Sequence, residues 1–130
     1  DKSFHYMIMV NQSLISKKKV LDAHAPYKLT AGQPKVLDYL GKHNVAYQKS
    51  IATGCQIEPA TLTGILSRME AKKAYYTQTK DGNKRSLYVY LTDEGKRLQE
   101  IVNDTFEKVE NEILSGISES EKEQFINIIF

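Results

Sequence analysis

From Glu58 to Lys72 the apolar residues Leu62, Ile65, Leu66 and Met69 recur at the spacing of a single stripe along a helix. The other face carries Ala60, Thr61, Thr63, Gly64, Ser67 and Arg68, which are small residues, hydroxyls and one guanidinium. Such a helix buries one side in its own domain and keeps a low, polar side clear. Upstream, Tyr47 to Thr53 reads as a shorter helix, Gly54 as the tight turn after it, and Pro59 as an early position of the next helix, where its missing N–H is tolerated. Beyond Lys72 the period drops to two. Tyr75 to Thr79 and Ser86 to Leu91 read as strands joined through Asp81 and Gly82, a pair that favours hairpins because Gly accepts positive φ. On the returning strand Leu87, Val89 and Leu91 share one face, and Tyr88 and Tyr90 the other.

Helices are expected on both sides of this unit. Phe4, Met7, Ile8, Leu14, Ile15 and Leu21 keep a helical stripe that Ala25 and Pro26 end. Thr30 and Gln33 have the form of a capping box for a second helix with Val36, Leu37 and Leu40 buried, which Gly41 or Asn44 stops. Thr92, with Asp93 and Glu94 behind it, caps a long helix whose stripe runs through Leu98, Ile101, Val102, Thr105, Phe106, Val109, Ile113, Leu114 and Ile117. Ser118 and Glu121 form another capping box, opening a last helix with Phe125, Ile126 and Ile129. The expected fold is mostly α with a small antiparallel β-hairpin, a winged helix-turn-helix between flanking helices.

The 130 residues suit a single domain, and 41% hydrophobic with 26% charged residues is ordinary globular composition. The net charge of +2 conceals an asymmetry of +4 over residues 1–45, +4 over residues 46–91 and −6 over residues 92–130. A polyanion would favour the first two segments and be repelled by the third. No apolar run is long enough to span a bilayer and the first residues lack a signal peptide's order, so a cytoplasmic protein without a membrane partner is expected. The chain opens without Met and stops on Ile128, Ile129 and Phe130, and both ends read as clipped. One cysteine, Cys55, excludes an intramolecular disulfide. The three histidines have no metal-ligand spacing and no Gly-rich phosphate loop follows a strand, so neither catalysis nor a cofactor is expected. The open face of the Glu58–Lys72 helix instead suits insertion into a DNA major groove about 12 Å wide.

The chain resembles the MarR-type transcriptional regulators, from Leu29 to Leu98 at residue level and by pattern in the flanks. That family's wing usually reads Asp, any residue, Arg, three residues, Val, any residue, Leu, Thr. Here Asn83, Lys84, Arg85, Ser86, Leu87, Tyr88, Val89, Tyr90, Leu91 and Thr92 match it at all fixed positions but the first. Leu29, Thr30, Gln48, Lys49, Ile51 and Ala52 are also similar to the family's usual residues. Three departures stand out. Asn83 replaces the wing Asp and predicts a looser wing. Lys73 replaces the Gly that ends the recognition helix, which then either frays or ends on a strained non-Gly residue. Gly64 replaces a larger, often basic residue and removes a base-edge donor.

The resemblance implies a homodimer in which residues 1–25 and 98–130 supply the dimerisation helices and residues 29–97 the DNA-binding core. Two recognition helices would address half-sites about 34 to 36 Å apart in a pseudo-palindromic operator. Ala60, Thr61, Thr63, Gly64, Ser67 and Arg68 would face the major groove of double-stranded DNA, Lys84 and Arg85 the minor groove, and Gln48 and Lys49 the backbone. The blander reading of Arg68 is a surface pair with Glu70 or Asp38. A repressor is expected, released by a small aromatic or phenolic effector held near His24, Tyr27, Tyr39 and His43. Core tyrosines and surface histidines are the alternative for those four. Other readings are a winged helix that contacts proteins without DNA, and a regulator that senses oxidation through Cys55, whose simpler role is a small buried core thiol.

Overall fold

The computed structural model describes residues 5–6, 17–43, 46–79 and 87–129. Helix α1 covers Lys17–His24 and passes through a short 3-10 turn, Ala25–Tyr27, into a loop ahead of α2, Gln33–Lys42. Strand β1, Ala46–Tyr47, leads directly into α3, Gln48–Cys55, and α4 follows as Pro59–Ala71. Strands β2, Tyr75–Thr79, and β3, Leu87–Leu91, precede α5, Asp93–Ile113, and α6, Glu119–Ile129. The expectations on Phe4, Met7, Ile8, Leu14, Ile15 and Asn44, and on the hairpin tip with Asn83, Lys84 and Arg85, lie outside the described residues.

The predicted hairpin forms as an antiparallel pair with Tyr75 opposite Leu91 and Thr79 opposite Leu87. Strand β3 also takes a second partner that periodicity did not reveal. Ala46 pairs with Val89 and Tyr47 with Tyr88, which gives a three-stranded sheet of order β1-β3-β2. Tyr47, expected to open a helix, is therefore strand, and its ring meets Tyr88 edge-on at a centroid distance of 5.9 Å. A two-residue strand is too short to show alternation and exists only because β3 offers it a free edge.

Local capping follows the sequence closely at the C-terminal helices. The Thr92 hydroxyl accepts from the Gly95 N–H at 3.0 Å, and Ser118 and Glu121 exchange the reciprocal bonds of a capping box at 3.0 and 3.1 Å. At α2 the Gln33 side chain accepts from the Thr30 N–H at 3.1 Å, but Gly32, with φ of 86°, occupies the N-cap position. Helix α4 ends on the strained alternative. Lys73 adopts φ of 55°, and the bonds from Lys73 N to Glu70 O and from Ala74 N to Met69 O close the helix as a Gly would.

The core gathers Val36, Leu37 and Leu40 of α2, Ile51 and Cys55 of α3, the α4 stripe, Val89 of β3, and Leu98, Val102, Phe106 and Val109 of α5. Val20 and His24 complete it from α1, whereas Leu21 is half-buried. The stripe of α5 is thus largely covered by its own chain. Among the described residues the large exposed hydrophobics, apart from Tyr27 and Tyr47, are Ile117, Phe125, Ile128 and Ile129, beyond the end of α5. An ion pair between Lys19 and Glu112 ties α1 to α5. No helix among the described residues is long and apolar enough to cross a membrane.

Candidate nucleic-acid interface

The turn between α3 and α4 sets the angle at which α4 is presented. Gly54 does not make it. Gly54 lies inside α3, and Gln56 takes the left-handed backbone with φ of 54° while the Ile57 N–H donates to the Ala52 carbonyl at 3.0 Å. Gly54 is needed for a different reason. A Cβ there would stand 2.1 Å from Cε2 of Tyr39, so only hydrogen fits between α3 and the α2 ring. Gln56 also donates from Nε2 to the Tyr6 hydroxyl at 3.3 Å, a link to the N-terminal segment that the sequence did not indicate.

Helix α4 is divided as its sequence requires. Leu62 and Met69 are fully enclosed and Ile65 and Leu66 are buried beside them, while Ala60, Thr61, Thr63, Ser67 and Arg68 are exposed and Gly64 is half-buried between the faces. Among the described residues Arg68 makes no ion pair. Asp38, offered as its partner, is instead buried in α2, where it accepts from His5 Nε2 at 2.8 Å and lies 3.4 Å from Lys42 Nζ. Burying a carboxylate without such partners costs about 3 to 5 kcal/mol. The Arg68 guanidinium lies over Gly64, its Nη1 3.5 Å from where a Cβ would be. Glu58 and Glu70 are exposed at the two ends of the same helix and offset its positive charge there.

From α3, Lys49 is exposed, and the half-buried Gln48 lies beside the exposed α4 face, its Nε2 donating to the Thr63 hydroxyl at 3.0 Å. Lys72, which the sequence marked only as a helix end, reaches back to Gln33 and to the Lys28 carbonyl, fixing α4 against the loop that precedes α2. A lysine at a helix C-terminus is favoured by the helix dipole anyway, so nothing in the sequence distinguished this one.

The expected effector residues take three different settings, with only Tyr39 and His43 in contact among the described residues. His24 is fully buried rather than at the surface, its ring 5.3 Å from that of Phe106, and burial lowers its pKa while the Nδ1 bond to the Val20 carbonyl opposes that shift. Tyr39 and His43 stack at 4.1 Å on the far end of α2. Tyr27 is exposed and lines a cavity of about 470 Å³ between α1 and α5 with Asp22, Thr105 and Lys108. His43 Nδ1 also pairs with the Tyr39 carbonyl at 3.0 Å, so two of the four expected residues meet each other. Cys55 is enclosed, its thiol 3.6 Å from the Lys35 carbonyl, and burial pushes its pKa up to about 12.

No family model matches the chain. It is similar to the HTH-type transcriptional regulator PecS of Dickeya dadantii, 32% identical over 113 residues that cover 85% of this chain and 68% of PecS. It is also similar to the HTH-type regulator YwoH of Bacillus subtilis, 28% identical over 95% of this chain and 90% of YwoH. In three dimensions it matches S. aureus MepR, solved as a DNA complex, with a TM-score of 0.80 and 25% identity over 98% of this chain and 93% of MepR. A mutant E. coli MarR complexed with operator DNA shares the fold with a TM-score of 0.78 at 20% identity, over 95% of this chain and 87% of that one. These relatives are transcriptional regulators and not enzymes. A relative this similar over most of both chains, with the winged helix-turn-helix geometry above, places the chain in the MarR family of transcriptional regulators.

Proposed function

We propose that the chain is a homodimeric repressor that reads a pseudo-palindromic operator through α4 and the hairpin, under the control of a small aromatic or phenolic effector. The single observation that carries this reading is the division of α4, whose apolar stripe is spent on the core while Thr61, Thr63, Ser67 and Arg68 stand clear. The exposed face has the low relief that a groove demands, and its arginine has no competing partner among the described residues. In each half-site Thr61, Thr63, Ser67 and Arg68, with the small Ala60 and Gly64 between them, approach bases and phosphates in the major groove. Gln48 and Lys49 hold the backbone, and Lys84 and Arg85 enter or flank the minor groove.

The dimer is supported by Ile117, Phe125, Ile128 and Ile129, which a monomer leaves in water, Ile128 at 82% exposure. Residues 1–25 and 98–130 are the proposed dimerisation helices and residues 29–97 the DNA-binding core. An effector seated in the cavity beside Tyr27 would release DNA by favouring a dimer whose recognition helices are wrongly spaced, and only by its differential affinity for that state.

Replacing Arg68 and Arg85 together by Ala tests the reading. Operator retardation in a gel should be lost while the sedimenting mass stays that of a dimer, and the parent protein should lose log affinity with log salt at a slope of about −0.9 per phosphate neutralised. Unchanged retardation by the double variant removes the site assignment. A salt-independent complex would instead mark a winged helix that contacts protein.

A further inference from the structure

Thr63 sits in the middle of the exposed α4 face, and its hydroxyl is already occupied on two sides by its own chain. A hydroxyl has one proton to donate and two lone pairs to accept with. The proton goes to the Pro59 carbonyl, 3.0 Å from Oγ1. One lone pair takes the Gln48 Nε2 amide proton, also at 3.0 Å. No donor is left for the acceptors that guanine, adenine and thymine present in the major groove. With the oxygen held toward Pro59 and Gln48, the rotamer is fixed and the methyl is what this exposed side chain offers a base. The apolar feature of the major groove is the C5 methyl of thymine.

We propose that Thr63 is a thymine-reading residue, packing its methyl against a thymine methyl in each half-site, and that Gln48 is the positioning residue that holds it there. The inference rests on the DNA-binding reading above and adds which base one side chain selects. It assigns Gln48 a role in sequence preference beyond holding the backbone.

Operator duplexes are first selected from a randomised pool with the full chain, and each thymine of one half-site is then changed to deoxyuridine, which removes only the methyl. Anisotropy titration should find one thymine whose change weakens binding about fourfold, the equivalent of roughly 0.8 kcal/mol for one buried methyl-sized group. Thr63→Ser keeps the hydroxyl and both bonds but has no methyl, so it should bind the two duplexes equally. Thr63→Val keeps a methyl and should retain a preference for thymine. Gln48→Ala should narrow the thymine-to-uracil ratio, an effect that weaker backbone contact alone would not produce.

A Thr63→Ser protein that keeps the full thymine preference overturns the proposal. So does a parent protein that binds its selected operator yet ignores every thymine methyl, for instance by accepting an adenine or cytosine amino proton on the remaining lone pair. Failure to select any duplex would remove the DNA reading itself, and this inference with it.

Discussion

Lys72 Nζ donates to the Gln33 side-chain oxygen at 3.0 Å, joining residues from the end of α4 and the start of α2. Gln33 is almost fully buried, and the same oxygen accepts from the Thr30 N–H at 3.1 Å. A second bond runs from Lys72 to the Lys28 carbonyl, in the loop where Lys28 itself adopts φ of 60°. Helix α4 is therefore held at both ends, by the Gln56 turn before it and by this lysine after it.

Lys72→Met keeps the length of the side chain and removes both bonds. Stability should fall by about 1 kcal/mol, a typical net value for a hydrogen bond, measured as a lower urea midpoint. Operator affinity should also fall, with the salt slope unchanged, because Lys72 acts by placing α4. A slope shallower by about one phosphate would show that Lys72 touches the DNA itself.

Gly54→Ala and Gly64→Ala should shift the melting temperature in opposite directions. The Gly54 Cβ would overlap the Tyr39 ring at 2.1 Å, and overpacking of this kind costs about 1 to 3 kcal/mol. At Gly64 the nearest atom is Arg68 Nη1 at 3.5 Å, ordinary contact with the end of a flexible chain. There Ala should recover up to about 1 kcal/mol of helix propensity. Scanning calorimetry of the pair decides it, and equal melting temperatures would contradict the packing of α3 on Tyr39.

His24 should make the protein sensitive to mild acid. Its Nδ1 pairs with the Val20 carbonyl at 2.8 Å, so Nε2 carries the lone pair, and among the described residues Nε2 has no partner. Protonation would bury a second N–H with no acceptor, in line with a folded-state pKa lowered from 6.5 mainly by burial. Well above that value both folded and unfolded chains leave the ring neutral, and it has no effect. As pH falls through 6.5 the unfolded chain binds a proton that the folded chain refuses, so stability declines until the folded value is passed. Urea titrations at about pH 7.5 and about pH 5 should show a smaller loss for His24→Gln than for the parent. Identical losses would mean that His24 titrates normally.

Cys55 should be inert in the folded protein. A thiol pushed up to about 12 and enclosed by its own domain supplies almost no thiolate at neutral pH. Iodoacetamide should label it only when urea is added, and peroxide should leave operator binding unchanged. Rapid labelling of the native protein would restore the redox reading.

The division of α4 was legible in the sequence because it depends on residues within four positions of each other, and so were the two strands of the β2–β3 pair, which alternation and an Asp-Gly signal mark, although their register came only from the structure. The Thr92 and Ser118 caps were legible for the same reason. The site was read less completely than the fold. Thr61, Thr63, Ser67 and Arg68 were expected on the open face and lie there, yet nothing local reveals that the Thr63 hydroxyl is taken by Gln48, fifteen residues upstream, or that Asp38 is claimed by His5.

What the sequence alone determined is the order and kind of the longer helices and of the β2 and β3 strands, which side of each is apolar, and hence which side of α4 is free. Those properties follow from backbone geometry and short-range spacing. Only the tertiary structure decided that Ala46 and Tyr47 would pair with β3, that α5 would lose most of its stripe to α1 and α2, and that Tyr39 would close on Gly54. Each of these depends on which surfaces come together when the whole chain buries its apolar area at once, and no short window of residues contains that information.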